Sequence, residues 1–177
     1  MLSRVLGIDP GSQNTGYGVV ELLRGRLVHV THGTIRSPAR APMAERLATI
    51  YRGLCEVVQA ARPQEVGVEN TFHARNVQTA LKLGQARGVA LLAAELAGLP
   101  VAEYTPMQVK AAVVGYGHAE KSQVQDMVRR LLALPELAGP DASDALAVAV
   151  CHLQTSRTAQ AFAARRVPAA ALGARLR

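Results

Sequence analysis

Residues 5–18 read VLGIDPGSQNTGYG. The apolar run at its start predicts a strand that Asp9 closes. A polar, glycine-rich turn follows and leads into a second strand at 17–23. Gly11 and Gly16 are positions where the backbone could approach a phosphate, although a simple hairpin turn capped by Asp9 would show the same pattern.

Carboxylates also mark the ends of other apolar segments. The sequence contains only four aspartates, and three of them lie at such ends. Glu69 closes a short apolar run, and Asp141 and Asp144 begin the last apolar helix. The spacing of these two aspartates places both on one helix face, although a helix cap would have the same spacing. Converging carboxylates repel one another and lose solvent, so they favour divalent cations between them, as in nucleases that use two metal ions.

The remaining pattern predicts an α/β domain. A meander of three strands is predicted at 4–9, 17–23 and 27–35. Two later strands and five helices are predicted at 65–69 and 101–104, and at 41–61, 76–96, 106–114, 119–134 and 141–154. This order gives a five-stranded mixed sheet with helices on both faces. It puts Asp9 on a central strand, Glu69 at the end of the neighbouring strand and the last helix near both.

Charge gives only mild support for a nucleic-acid partner. The formal net charge is +7, but five arginines and no acidic residue follow position 154, so residues 1–154 carry a net charge of only +2. We expect 1–154 to form one domain and 155–177 to be a disordered basic tail rich in alanine and arginine. No apolar run approaches the length of a membrane span, and the first strand begins almost at Met1. We therefore expect a cytoplasmic protein without a signal peptide.

Three further features are candidates for binding. Seventeen arginines accompany only three lysines, which are Lys82, Lys110 and Lys121. A lysine supplies a compact point charge, although chance explains the small number equally well. Phe72 lies in the polar loop after Glu69. Its ring is either buried in the core over the end of the sheet or exposed. Gly84 and Gly88 lie inside a predicted helix, where each glycine costs about 1 kcal/mol, so we expect the sheet or a partner subunit to pack closely there.

Together these motifs resemble one family. The resemblance is carried by LGIDPGS at 6–12, TGYG at 15–18, Glu69 with Phe72, ALKLGQARGVA at 80–90, Val109-Lys110, AEKSQV at 119–124 and DASDALA at 141–147. In this order and spacing the motifs are similar to RuvC, a family of bacterial Holliday-junction resolvases, over residues 4–153.

The resemblance implies an RNase H-like fold and a homodimeric, Mg²⁺-dependent endonuclease that resolves four-way DNA junctions in recombination and repair. It implies symmetric nicks in two opposed strands, with 5′-phosphate and 3′-hydroxyl ends. It also implies two Mg²⁺ ions per site, for which Mn²⁺ can substitute, and the RuvA–RuvB branch-migration complex as a partner. By resemblance, the catalytic and metal-binding residues are Asp9, Glu69, Asp141 and Asp144. The DNA-contacting residues are Phe72, Arg75, Lys110 and Lys121, to which we add Lys82 as a candidate.

Two other classes of protein fit part of the sequence. A phosphate-binding ATPase of the actin and sugar-kinase type has a similar first loop, Asp-x-Gly followed by Thr-Gly, but it needs a second related half that we do not find. A junction-binding protein without catalysis would be favoured if one of the four carboxylates were missing, and none is. Junction cleavage and ATP hydrolysis, each assayed with Mg²⁺, separate the three classes.

Overall fold

The structure, a computed structural model, describes residues 3–70 and 76–165, with side chains described up to position 156. Its strands are β1 (Ser3–Asp9), β2 (Asn14–Leu23), β3 (Arg26–Arg36), β4 (Glu65–Glu69) and β5 (Val101–Tyr104). Its helices are α1 (Met43–Ala61), α2 (Val77–Leu96), α3 (Pro106–Val114), α4 (Lys121–Leu131) and α5 (Pro140–Arg165). In the described part of the chain, no helix is both long and apolar enough to cross a membrane.

β1 lies at the centre of a five-stranded sheet with the strand order β3-β2-β1-β4-β5. It pairs antiparallel with β2 and parallel with β4, so the sheet is mixed, as predicted. Because β1 and β4 run in the same direction, their last residues lie at the same edge of the sheet. These residues are Asp9 and Glu69. The predicted positions of both carboxylates in the sheet are therefore confirmed.

Helices cover both faces of the sheet, which confirms the predicted architecture. On one face α1 and α2 pack against Leu6 and Ile8. On the other face α3, α4 and α5 pack around Val5 and Val20. Successive residues of a strand point to opposite faces, so β1 contributes to both cores. This double burial accounts for the apolar run at 5–8 in the middle of β1.

The predicted elements differ from the structure mainly at their ends. β2 begins at Asn14 rather than at position 17, because its pairing with β3 extends to the polar end of both strands. α4 is shorter than the predicted 119–134. α5 continues to Arg165, beyond the predicted end at 154, since no proline or glycine interrupts this alanine-rich stretch. The expected boundary between domain and tail therefore falls inside a helix. Residues 166–177 lie outside the described residues.

A row of glycines lets α5 lie directly on the sheet. Gly18, Gly7 and Gly67 are paired side by side across β2, β1 and β4. A Cβ atom on Gly7 would lie 2.1 Å from the carbonyl oxygen of Ala145, and one on Gly18 would lie 2.7 Å from the backbone nitrogen of Leu146. At Gly7 and Gly18, only a residue without a side chain fits under the helix. The backbone of α5 therefore rests on the backbone of the central strands.

The substitution Gly7→Ala should destabilise the fold because α5 would have to move away from β1. Overpacking a core usually costs about 1–3 kcal/mol, and here the atoms that the new methyl group meets belong largely to the backbone, which cannot rotate away. Thermal unfolding followed by circular dichroism measures the loss. Gly139→Ala is the matched control, since its Cβ would meet nothing within 4 Å in the part of the chain that the structure describes. Equal Tm values for the two variants would show that Gly7 does not limit the approach of α5.

Candidate active site

The start of α5 is held over the end of β1. Asp141 and Asp144 lie in the first turns of this helix, while Asp9 and Glu69 end β1 and β4. Gly16 pairs with Asp9 across β2 and β1. A Cβ atom on Gly16 would lie 2.0 Å from the carbonyl oxygen of Asp141, so the helix backbone touches the strand beside Asp9. The fold thus brings the helix that carries two of the predicted carboxylates to the edge of the sheet that carries the other two.

The four carboxylates form one electrostatic cluster. The pKa of Asp9 is raised to about 8, mainly by burial. The charges of Glu69 and Asp144, a hydrogen bond to Glu69 and the charge of Asp141 act in the same direction. The same hydrogen bond lowers the pKa of Glu69. Without a cation, burial and the neighbouring negative charges therefore favour one proton shared between Asp9 and Glu69.

Two lysines balance part of this negative charge. Burial raises the pKa of Glu69 and of Asp144, but Lys121 and Lys110 lower both of them. Lys121 Nζ donates to Asp144 Oδ2 at 2.6 Å. Burial alone would lower the pKa of Lys121, yet the hydrogen bond to Asp144 and the charges of the carboxylates raise it. Lys110 and Lys121 thus lie with the carboxylates.

A cavity of about 180 Å³ lies beside the cluster, and its charged lining residues are Glu69, Asp144, Lys110 and Lys121. Acidic groups that can hold cations and basic groups that can face a phosphate therefore share one cavity. A larger cavity of about 810 Å³ lies between α1 and β3, but none of the four carboxylates lines it. The arrangement of charged groups, rather than size, identifies the smaller cavity as the candidate active site.

The donor set fits a divalent cation such as Mg²⁺. Carboxylate oxygens are the ligands that this cation prefers, and the shared proton on Asp9 is one that a cation can replace. Within 3–70 and 76–165, no three acidic, histidine or cysteine side chains are already grouped as metal ligands. Asp144 is turned towards Lys121, and Asp9 is hydrogen-bonded to Glu69. A cation held by these carboxylates would compete with the shared proton and with Lys121.

The structure does not join every predicted site residue to this cluster. Lys82 lies at an exposed position on α2 and does not line the cavity. Phe72 and Arg75 lie outside the described residues. Their predicted contacts with DNA remain predictions.

Sequence reasoning missed two buried polar residues that support the loop after Asp9. The hydroxyl of Ser37 donates to the carbonyl of Ser12 at 2.9 Å, and Arg46 Nη2 donates to the same carbonyl. A signal for Arg46 was present, because position 46 falls within the apolar stripe of α1, between Met43 and Ile50. An arginine in an apolar stripe indicates a buried charge with a specific task.

A mixed five-stranded sheet, with carboxylates at the ends of two central strands and on a helix packed across them, defines an RNase H-like α/β protein. The chain belongs to the RuvC family, because residues 5–152 match the family model described as crossover junction endodeoxyribonuclease RuvC. The predicted family and fold are thus confirmed.

Matches to the sequences and structures of relatives extend over almost the whole described domain. The RuvC protein of Geobacter metallireducens is 61% identical over 153 residues, which are 86% of this chain and 93% of that protein. The RuvC protein of Geobacter sulfurreducens is 60% identical over 153 residues, with the same coverage. A solved structure of Thermus thermophilus RuvC in complex with Holliday junction substrate has a TM-score of 0.83 and 39% identity, and the match covers 89% of this chain and 96% of that one. The yeast mitochondrial Holliday junction resolvase Ydc2, with a TM-score of 0.63 and 15% identity, shares the fold.

The raised pKa of Asp9 predicts that the metal-free protein becomes less stable as the pH rises. Between the ordinary value of 3.8 and the value of about 8, the folded state keeps a proton that the unfolded chain has released, so the free energy of unfolding falls. Mg²⁺ should therefore raise the Tm more at about pH 8.5 than at about pH 5.5, because no proton has to be displaced at the higher pH.

Differential scanning calorimetry in EDTA and in Mg²⁺ across this pH range measures both effects. Asp9→Asn removes the titrating carboxyl and should flatten the pH dependence. Asp126→Asn, at an exposed position on α4, is the matched control and should keep it. A wild-type Tm in EDTA that does not change with pH would contradict the shared proton.

Proposed function

We propose that this chain resolves four-way DNA junctions by metal-dependent hydrolysis of one phosphodiester in each of two opposed strands. The observation that carries the proposal is the cluster of four carboxylates, with the pKa of Asp9 raised to about 8, in a member of the RuvC family. The similarity to Thermus thermophilus RuvC, whose structure was solved in complex with a Holliday junction substrate, supports the choice of DNA substrate.

The carboxylates and the lysines have separate tasks in this proposal. Asp9 on the central strand, together with Glu69, Asp141 and Asp144, would hold two Mg²⁺ or Mn²⁺ ions. When bound, the ions lower the pKa of the attacking water and stabilise the leaving 3′ oxygen, which gives 5′-phosphate and 3′-hydroxyl ends. Lysines 110 and 121 face the same cavity, so they offset the negative charge that develops on the phosphate.

Asp9→Asn should abolish cleavage and leave junction binding nearly intact, because binding depends on contacts with many phosphates. The assay is cleavage of a labelled synthetic four-way junction in Mg²⁺ and in EDTA, with binding measured separately in Ca²⁺. A linear duplex of the same sequence is the substrate control, and Asp126→Asn is the protein control.

Three results would contradict the proposal. Near wild-type cleavage by Asp9→Asn at saturating Mg²⁺ would remove Asp9 from the metal site. Equal cutting of the linear duplex would remove the selectivity for junctions. ATP hydrolysis without junction cleavage would favour the ATPase class instead.

A homodimer would supply the symmetry that two opposed nicks require, and α2 offers a surface for it. Four exposed apolar residues lie along one face of this helix: Val77, Leu81, Leu92 and Leu96. Gly84 and Gly88 lie on the same face between them. A Cβ atom on either glycine would meet nothing within 4 Å among the described residues, so the alternative in which the sheet packs against these glycines is wrong. We propose that a second copy of α2 packs against them.

Gly88→Leu should weaken this dimer, because a leucine would hold the two α2 helices apart. Overpacking of about 1–3 kcal/mol corresponds to an increase in the dimer dissociation constant of roughly 5- to 160-fold. Sedimentation velocity over a range of concentrations measures the change. Gln59→Leu adds the same side chain to an exposed position on α1 and serves as the control. A folded Gly88→Leu protein with an unchanged dimer would place the interface elsewhere.

Phe72 is proposed to stack on a base that becomes unpaired at the crossover. Its sequence neighbours are polar, which is unusual for a core residue, and it follows Glu69 by three positions. Stacking contributes roughly 1–3 kcal/mol per base, so Phe72→Ala should cut junctions more slowly, with partial recovery on junctions that already contain unpaired bases. Single-turnover rates on both substrates test this. A large fall in Tm with normal cutting would show that Phe72 belongs to the core.

The remaining family traits are proposed on the same basis. We propose that the protein acts on junction DNA in the cytoplasm, beside the RuvA–RuvB branch-migration complex. Arg75, Lys82, Lys110 and Lys121 are proposed to contact the phosphates of the junction.

A further inference from the structure

The loop at 10–13, which joins β1 to β2, is held from inside the protein. Thr15, which is fully buried, donates its hydroxyl to the carbonyl of Gly11 at 2.8 Å. Ser37, 7% exposed, donates its hydroxyl to the carbonyl of Ser12 at 2.9 Å. Side chains from outside the loop therefore fix the direction of two consecutive carbonyl groups.

Arg46 adds a buried positive charge to this support. It is 6% exposed, and its Nη2 donates to the carbonyl of Ser12 that also accepts from Ser37. In the described part of the chain it forms no ion pair, and its Nε atom is buried without a hydrogen-bond partner. The backbone N–H of Ser37 also donates to the carbonyl of Gln13 at 2.9 Å. A buried guanidinium without a carboxylate is costly, so contact with the loop is its main compensation.

These contacts determine where the amide groups of the loop point. In a trans peptide the carbonyl and the following N–H point in opposite directions, and all described peptide bonds are trans. The carbonyls of Gly11 and Ser12 are directed to donors inside the protein. The N–H groups of Ser12 and Gln13 are therefore directed away from these donors, and the two residues are partly exposed and exposed, respectively. Successive outward N–H groups are a common backbone site for anions.

We propose that the backbone N–H groups of Ser12 and Gln13 bind a phosphate of the cleaved DNA strand close to the scissile one. Arg46 and Ser37 are positioning residues that keep these donors turned towards the DNA. The phosphate is close to the cut because the loop follows directly on Asp9. A backbone contact reads no base, so the loop would set the register of the strand without adding sequence preference. This inference rests on the proposed function as a junction nuclease.

Junctions that carry one uncharged methylphosphonate at a time test the proposal. The substitution is placed in turn at each phosphate that flanks the cut, and single-turnover cleavage is measured for the wild type and Arg46→Met. We expect one non-scissile position to slow the wild type by about tenfold or more, as for loss of a hydrogen bond to a charged group. Arg46→Met should already be slow on the unmodified junction, and the same methylphosphonate should slow it little further.

Two more variants make the comparison specific. Arg46→Lys returns one donor and should restore part of the sensitivity at that phosphate. Arg52→Met removes an exposed arginine from the same helix and should behave as the wild type. If Arg46→Met does not fold, Ser37→Ala removes one hydroxyl, keeps the backbone bond to Gln13 and gives the same comparison.

The proposal would be overturned if each methylphosphonate slowed cleavage by the wild type and by the folded variant by the same factor. It would also be overturned if no non-scissile phosphate were sensitive in the wild type. Failure of the wild type to cut unmodified junctions would instead contradict the proposed function, so the two failures are distinguishable.

Discussion

Direct contact between the backbone of α5 and the glycines of the central strands is the constraint on which the site depends. Two of the four carboxylates lie on this helix, and the other two lie on the sheet below it. The helix is anchored along its length, since His152 binds the hydroxyl of Tyr104 at 2.9 Å and Glu65 at 2.5 Å. Any side chain at Gly7 would separate the two halves of the site without altering a single ligand.

This contact holds several carboxylates close together in the folded protein, where they repel one another. Burial and mutual repulsion raise the pKa values of Asp9, Glu69 and Asp144, and a shared proton and Lys121 relieve part of the repulsion. A cation can replace the proton, so the features that destabilise the metal-free protein are the ones that favour metal binding. Stability and function therefore oppose each other at this site, as is common where like charges are gathered for catalysis.

Sequence reasoning predicted the features that depend on local pattern. Apolar runs and glycine-rich turns identified the strands. Asp9 and Glu69 were identified as candidate site residues because they end two of these runs. Features that depend on packing were harder to predict. Glycines inside α2 predicted that another segment packs closely there, but the sequence did not tell whether that segment belongs to the sheet or to a second subunit. Only the structure excludes the sheet. The support of the loop by Arg46 depends on residues from three separate segments, so no local pattern contains it.

Titration of Mn²⁺, followed by the loss of its free-ion EPR signal, tests most directly whether the position of α5 makes the metal site. Gly7→Ala keeps all four carboxylates but moves the helix that carries two of them. Disturbing groups that orient metal ligands typically costs about 10–100-fold in affinity, and we predict a loss of this size for the folded variant, with Gly139→Ala unchanged. Wild-type Mn²⁺ affinity in folded Gly7→Ala would contradict the dependence of the site on this contact.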